Sequence, residues 1–203
     1  MIEFGHLLVF LSLGAAIASS VLGFMDRPRE AGRAMCAAAG MTAAAFFILI
    51  YAFAVSDFSL QLVVSNSHSL KPLFYKIAGA WGNHEGSMLL WCLIMLAFGA
   101  AAAPTMKDDS LKAYAFGVQG ALSALSLLYL LFASSPFTRL VEAPLDGNGL
   151  NPLLQDPALA FHPPFLYLGY VGFSFVFSLA AAGLILGQVG PEWAKRARPW
   201  ALF

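Results

Sequence analysis

Charged residues are scarce in this 203-residue sequence, because only 11% of its positions carry Asp, Glu, Lys or Arg. That share is about half of what an ordinary soluble domain has, while 60% of the positions are hydrophobic. The eleven basic and eleven acidic residues balance, and no basic tract is present that could follow a phosphate backbone. The composition therefore indicates a membrane protein in contact with lipid, and it argues against nucleic-acid binding.

Cysteine and the motifs of soluble enzymes are equally sparse. The two cysteines, Cys36 and Cys92, both fall in apolar stretches and form no C-x-x-C or zinc-type spacing. Walker, Rossmann and nucleophile-elbow patterns are missing, and so is the second histidine of an H-E-x-x-H motif. The sequence therefore excludes a disulfide framework and gives no support to phosphate or zinc-hydrolase chemistry.

Long apolar stretches make up most of the chain. A helix needs about 20 apolar residues to cross a hydrocarbon core of about 30 Å. Five stretches of roughly that length contain no Asp, Glu, Lys or Arg: 7–25, 34–55, 86–103, 113–133 and 163–187. The sequence thus predicts an all-α polytopic membrane protein whose residues 1–203 form a single module of five transmembrane helices.

The basic residues predict the orientation of these spans. Lys71, Lys76 and Arg139 lie in the two long loops, 56–85 and 134–162, and the other eight of the eleven basic residues flank the shorter segments. Because basic segments stay on the cytoplasmic side, we expect the N-terminus and both long loops to lie outside. In a bacterium this corresponds to a multi-pass inner-membrane protein with its long loops in the periplasm.

Two further segments carry helix signals. The stretch Pro72–Ala80 predicts a short helix at the membrane surface, because one helical face could carry Leu73, Phe74, Ile77 and Trp81. Near the C-terminal end, Pro199 followed by apolar residues is typical of the first turn of a sixth helix. We therefore expect the sequence to be either a fragment or a separately encoded subunit.

The histidines indicate where chemistry would take place. His6, His68, His84 and His162 all fall on the predicted outer side, and none lies within a predicted span. His6 follows Glu3 by three residues, so pairing between these two side chains is the simplest expectation for it. Any chemistry of the imidazoles is thus predicted for the outer surface.

His162 precedes the fifth predicted span and is followed by Pro163 and Pro164. Prolines fit the first turn of a helix, where their missing N–H needs no partner, so we expect the ring to be fixed near the interface. A neutral imidazole there can coordinate a metal ion or haem iron through one nitrogen. The alternative, an ordinary histidine that ends a loop, stays open on these residues alone.

A second motif precedes the third span and runs Trp81-Gly82-Asn83-His84-Glu85-Gly86-Ser87. Gly82 and Gly86 permit a tight turn, and the polar side chains can cap the first amides of the following helix. His84 and Glu85 could also bind a metal or shuttle protons. Capping or contact with a partner explains the motif more simply.

These motifs make the sequence resemble a known family. The resemblance is carried by the Trp81–Ser87 motif with its continuation to Trp91, and by Asn151-Pro152-Leu153-Leu154-Gln155-Asp156-Pro157 with the following Phe161-His162-Pro163-Pro164. In both, the sequence resembles the CcmF family of cytochrome c maturation proteins, and the nitrite-reductase-type NrfE branch is the second choice. The likeness covers the whole sequence but only the N-terminal third of a full-length member.

This resemblance implies a component of a haem lyase. Family members accept haem from the chaperone CcmE and help to attach it to the thiols of an apocytochrome c, which CcmH and CcmI-type proteins present. By its place in the motif, His162 is implied to be one axial ligand of the haem iron. The remainder of CcmF, beyond Phe203, would complete the haem site, so residues 1–203 alone are not expected to catalyse the attachment.

Two other functions stay open at this point. The five helices could form a non-catalytic scaffold that docks the other maturation proteins, with His162 as an ordinary interfacial residue. A transporter subunit is the third possibility, but it predicts ionisable groups within the spans, and the five apolar stretches contain no Asp, Glu, Lys or Arg.

Overall fold

The computed structural model describes residues 1–202, apart from the side chains of Leu153 and Leu154. Those two leucines of the second long loop, and Phe203 of the predicted sixth helix, therefore lie outside the described part. The described chain contains the following α-helices: α1 (Ile2–Phe24), α2 (Pro28–Ala54), α3 (Gln61–Asn66), α4 (Leu73–Gly79), α5 (His84–Thr105), α6 (Ser110–Ala133), α7 (Pro157–Leu186) and α8 (Pro191–Leu202). One 3₁₀ turn, Pro152–Gln155, precedes α7.

Five of these helices confirm the predicted membrane spans. Helices α1, α2, α5, α6 and α7 are each long and apolar enough to cross a membrane. All five begin before the predicted boundaries, and at α5, α6 and α7 the helix starts at a polar side-chain cap that lies outside the uncharged stretch. Asn83 caps α5 by accepting a hydrogen bond from the N–H of Gly86 at 2.7 Å, and Asp156 caps α7 by accepting from the N–H of Ala158 at 2.8 Å.

The five long helices pack as one bundle. Helix α1 contacts α2 and α6, α2 also contacts α5, and α7 contacts both α5 and α6. Small residues allow the closest approach: a β-carbon on Gly120 of α6 would lie only 2.6 Å from the backbone N of Ser20 in α1. In a bilayer, such contacts between backbones contribute much of the association between helices.

A buried polar network joins three helices in the middle of the bundle. The amide of Gln119 in α6 donates to the carbonyl of Met95 in α5 at 2.8 Å and to the hydroxyl of Ser174 in α7 at 3.0 Å. The hydroxyl of Ser178, also in α7, donates back to the Gln119 side-chain carbonyl at 2.7 Å. Since a polar group without a partner is costly in hydrocarbon, this network favours one particular arrangement of the helices.

The short-loop end of the bundle holds the α1–α2 and α5–α6 connections together with α8. Asp108 forms ion pairs with Arg29 at 2.7 Å and with the buried Lys112 at 2.8 Å, and the pKa of its carboxyl is lowered by the hydrogen bonds from both cations, that of Lys112 first. Helix α8 begins at Pro191 rather than at the predicted Pro199, because Pro191 already provides a first turn that needs no N–H partner.

The opposite, long-loop end consists of residues 55–83 and 134–156 with the adjoining starts of α1, α5 and α7. Here the two loops are hydrogen-bonded to each other, since the N–H of Asn148 donates to the carbonyl of Val64 at 2.8 Å. Asp146 accepts hydrogen bonds from both the backbone and the hydroxyl of Ser69. The segment Pro72–Ala80, predicted as a helix, contains α4, whose Leu73 and Phe74 are exposed.

Candidate functional site at the long-loop end

His162 lies inside α7, not ahead of it as predicted. Helix α7 starts at Pro157 because the carboxylate of Asp156 caps its first amides, at 2.8 Å from Ala158 N and 3.2 Å from Leu159 N. The His162 ring is exposed. Its position on a capped helix, rather than in a loop, fixes the backbone that carries the imidazole.

The prolines after His162 interrupt the hydrogen bonding of the α7 backbone. A helical residue donates its N–H to the carbonyl four residues earlier, so Pro164, which has no N–H, leaves the carbonyl of Ala160 without its helical partner. The indole N–H of Trp81 donates to this carbonyl at 2.8 Å. The hydrogen bond thereby joins the two sequence motifs, at positions 79 residues apart.

The motif around Trp81 is a compact turn between α4 and α5. The Asn83 side chain caps α5 and also donates to the carbonyl of Gly79 at 2.6 Å, and the Ser87 hydroxyl donates to the carbonyl of Trp81 at 2.6 Å. Gly86 has no room for a side chain, since a β-carbon there would collide with the carbonyl of Ala80. The predicted capping role is confirmed, and the turn also holds Trp81 against α7.

The other three histidines lie at the same end but have neighbours of their own. His84 shares a hydrogen bond of 2.9 Å with the hydroxyl of Ser134 through Nδ1, and His68 Nε2 lies 3.5 Å from the carboxylate of Asp146. His6 stacks on Phe10, with ring centroids 5.1 Å apart. The expected pairing of His6 with Glu3 is wrong, because Glu3 pairs with Arg139 instead.

His84 and Glu85 line a polar pocket together with Asn66 and Thr138. The pocket lies between α3, the start of α5 and the loop after α6, and Ser134 of that loop holds the His84 ring. Within residues 1–202, side chains of 153 and 154 aside, no group of three or more His, Cys, Asp or Glu residues is placed to hold a metal ion. The described residues thus offer single imidazoles rather than a protein cage for a bare cation.

His162 differs from the other three histidines in its surroundings. Among the residues that the structure describes, its side chain makes no hydrogen bond or ion pair. Phe165 and Leu166 follow it by three and four residues, so they share its face of α7, and both are exposed, at 69% and 46%. Phe161 contacts Phe74 of α4 at a centroid distance of 5.7 Å. An available imidazole therefore stands beside an exposed apolar surface, which suits a flat apolar ligand that carries its own metal.

The site-bearing half of the chain matches a known family model. The model described as "Cytochrome C assembly protein" matches residues 81–200, from the Trp81 turn into α8. The chain belongs to the CcmF family of cytochrome c assembly proteins. It is 50% identical over 211 residues to the cytochrome c-type biogenesis protein ccl1 of Rhodobacter capsulatus, an alignment that covers 100% of this chain and 32% of ccl1.

A second relative and a solved structure also match this chain. CcmF of Escherichia coli is 42% identical over 212 residues, covering 100% of this chain and 33% of the relative. A solved structure, "Cytochrome c Heme Lyase CcmF", matches with a TM-score of 0.77 and 26% identity, covering 98% of this chain and 31% of that one. The chain thus spans about a third of the length of the CcmF relatives that it matches.

Sequence reasoning named His162, Pro163, Pro164 and the Trp81 motif but missed the groups that surround them. The contact between Phe74 and Phe161 joins α4 to α7. The amphipathic pattern of Pro72–Ala80 was a signal that this segment packs on something. Which residue of α7 it contacts depends on tertiary structure and has no local signal.

Proposed function

We propose that this chain is a haem-handling module of a cytochrome c haem lyase, and that His162 provides one axial ligand to the iron of the substrate haem. The observation that carries this proposal is the exposed His162 imidazole beside Phe165 and Leu166, in a chain of the CcmF family. An imidazole nitrogen is a common haem ligand, and the porphyrin faces need apolar surface to leave water. Both requirements meet at this point of α7.

The reaction sets where this site must lie. An apocytochrome c receives its haem after export, so the ligand must face the periplasm. The excess of basic residues at the short-loop end supports that orientation, which puts the N-terminus, the long loops and His162 on the periplasmic side of the inner membrane. There the chain would take haem from CcmE and meet apocytochrome c presented by CcmH and CcmI-type proteins.

One imidazole leaves part of the haem open. The second axial position and the porphyrin edge that bears the vinyl groups stay accessible, as transfer to cysteine thiols requires. A second ligand and further apolar cover would come from the remainder of CcmF, since the matched relatives are about three times as long as this chain. In this arrangement His162 holds and orients the substrate, and the attachment reaction is shared with other segments.

The test replaces His162 by Ala in cells that carry the other cytochrome c maturation proteins, and measures covalently bound haem in c-type cytochromes. We expect the yield to fall strongly while the amount of the protein in the membrane stays normal. His84→Ala is the matched control, because His84 is an exposed histidine of the same end that faces Ser134 instead. A normal yield with His162→Ala would remove the ligand assignment.

A docking surface without a haem ligand is the second candidate function. It is favoured by Val141 and Leu145, which are fully exposed apolar side chains in the loop after α6. Exposed apolar residues on a loop that is otherwise hydrogen-bonded to its neighbour are typical of a partner contact. Under this function, Val141→Ser with Leu145→Ser lowers cytochrome yield as much as His162→Ala or more, and CcmE no longer copurifies.

A further inference from the structure

The ammonium group of Lys71, just ahead of α4, has no hydrogen-bond acceptor among the described residues. Its Nζ is shielded from solvent and makes no hydrogen bond to any atom of the described residues. Its Cε lies near the turn at Gly149, 3.9 Å from where a β-carbon would stand, and burial lowers the pKa of the ammonium. Enclosing a charge without a partner is unfavourable, so such a group gains free energy when an anion reaches it.

The other two basic residues of the long-loop end already have acceptors. Lys76 donates to the hydroxyl of Ser56 at 2.8 Å. Arg139 pairs with the carboxylate of Glu3 and donates to the Ser59 hydroxyl at 3.0 Å. Lys71 is therefore the basic residue of this end whose charged group has no acceptor among the described residues, and its flexible four-carbon stem allows the ammonium to move to a ligand.

Lys71 is also linked to the segment of the proposed haem ligand through the packing of α4 on α7. It leads directly into α4, whose Phe74 contacts Phe161, the residue before His162. On its other side, the turn at Gly149 leads through the 3₁₀ turn to the cap of α7. Lys71 and His162 are thus each within three residues of the aromatic contact that joins α4 to α7.

We propose that Lys71 binds a propionate carboxylate of the haem whose iron His162 ligates. The inference rests on the proposed function and adds a recognition element to it. Haem carries two carboxylates on the edge opposite its vinyl groups. A propionate held at Lys71 places those carboxylates toward α4 and leaves the vinyl groups facing away, where an apocytochrome can reach them. Binding also supplies the acceptor that the ammonium lacks.

The experiment compares haem with its dimethyl ester, which keeps the iron and the ring but removes both carboxylates. Each is titrated into the protein purified in detergent with the subunits that accompany it. The wild-type protein should bind haem more tightly than the ester, by about tenfold, which is the usual strength of one charge-assisted hydrogen bond. Lys71→Gln should lose this preference, Lys71→Arg should retain it, and Lys76→Gln should bind like the wild type.

The ratio of the two affinities separates the possible failures. A folding defect lowers both affinities and leaves their ratio unchanged, so only a specific loss of the ratio supports the inference. If Lys71→Gln prefers haem over the ester as strongly as the wild type does, the inference is wrong and the proposed function stands. If His162→Ala binds both compounds as tightly as the wild type does, the proposed function fails and the inference fails with it.

Discussion

Replacing Trp81 by Phe removes the indole N–H that bonds to Ala160 and keeps an aromatic ring beside Phe46, whose centroid is 6.3 Å away. Ala160 is 4% exposed, so water does not readily replace the lost donor. Because Pro164 cannot donate either, the carbonyl becomes a buried acceptor without a partner. Such a group costs about 1 to 3 kcal/mol, which corresponds to a roughly 5- to 150-fold rise in local opening.

The assay is hydrogen exchange, followed by mass spectrometry, on the segment 155–162 at the start of α7. We expect faster exchange of its amides in Trp81→Phe. Adding Pro164→Ala restores an N–H four residues after Ala160, so the double variant should recover most of the lost protection. Trp193→Phe is the matched control, since Trp193 bonds at 2.9 Å to the carbonyl of Leu179, which already has a helical donor in Gly183.

The reasoning is refuted by either of two results. If Trp81→Phe exchanges like the wild type, the hydrogen bond does not stabilise the start of α7. If the double variant exchanges as fast as Trp81→Phe alone, Pro164 is not the reason that the Ala160 carbonyl needs an outside donor. A larger effect from Trp193→Phe than from Trp81→Phe would contradict the argument as well.

Two further predictions concern the stability of the bundle and of its long-loop end. Gln119→Leu should lower the free energy of unfolding by about 1 kcal/mol, the usual size of a hydrogen bond between membrane helices. Ser123→Ala should leave it unchanged, because the buried Ser123 hydroxyl has no partner in the described chain. Thermal unfolding in detergent compares the two variants, and an equal loss of stability in both would contradict the prediction. The hydrogen bonds from Ser69 lower the pKa of the Asp146 carboxyl from its ordinary value of 3.8 to about 2. The ionised carboxylate therefore stabilises the contact between the loops fully when the pH is above that ordinary pKa, and this stabilisation is lost as the pH falls through about 2. Asp146→Asn should raise hydrogen exchange at Asn148 and Gly149 already at neutral pH, and exchange like that of the wild type would show that the carboxylate does not hold the loops together.

Much of the fold follows from the sequence, because the energetics of a bilayer are simple. A charge in the middle of a span is costly, so the five uncharged stretches had to be the five long helices. The helix starts were less well predicted, since Asp156 extends α7 over residues that an apolar window leaves out. For the same reason His162 was expected ahead of the helix and lies within it.

The candidate site was predictable only in part. The position of His162 and the capping in the Trp81 motif could be found from local pattern and family resemblance. The hydrogen bond from Trp81 to Ala160 could not, because it depends on how two distant segments pack, although Pro164 marks a carbonyl in need of a donor. The sequence carries no local signal for Lys71. The proposal for it rests on an ammonium that is shielded from solvent and has no acceptor among the described residues, and only the folded chain defines that.

The most direct test of the central claim is the spectrum of bound haem in His162→Tyr, with His84→Tyr as the control. Phenolate and imidazole give iron different ligand fields, as they do in other haem proteins. If His162 ligates the iron, His162→Tyr shifts the absorption spectrum of the ferric complex or loses the haem, and His84→Tyr keeps the wild-type spectrum. Bound haem with an unchanged spectrum in His162→Tyr would contradict the account.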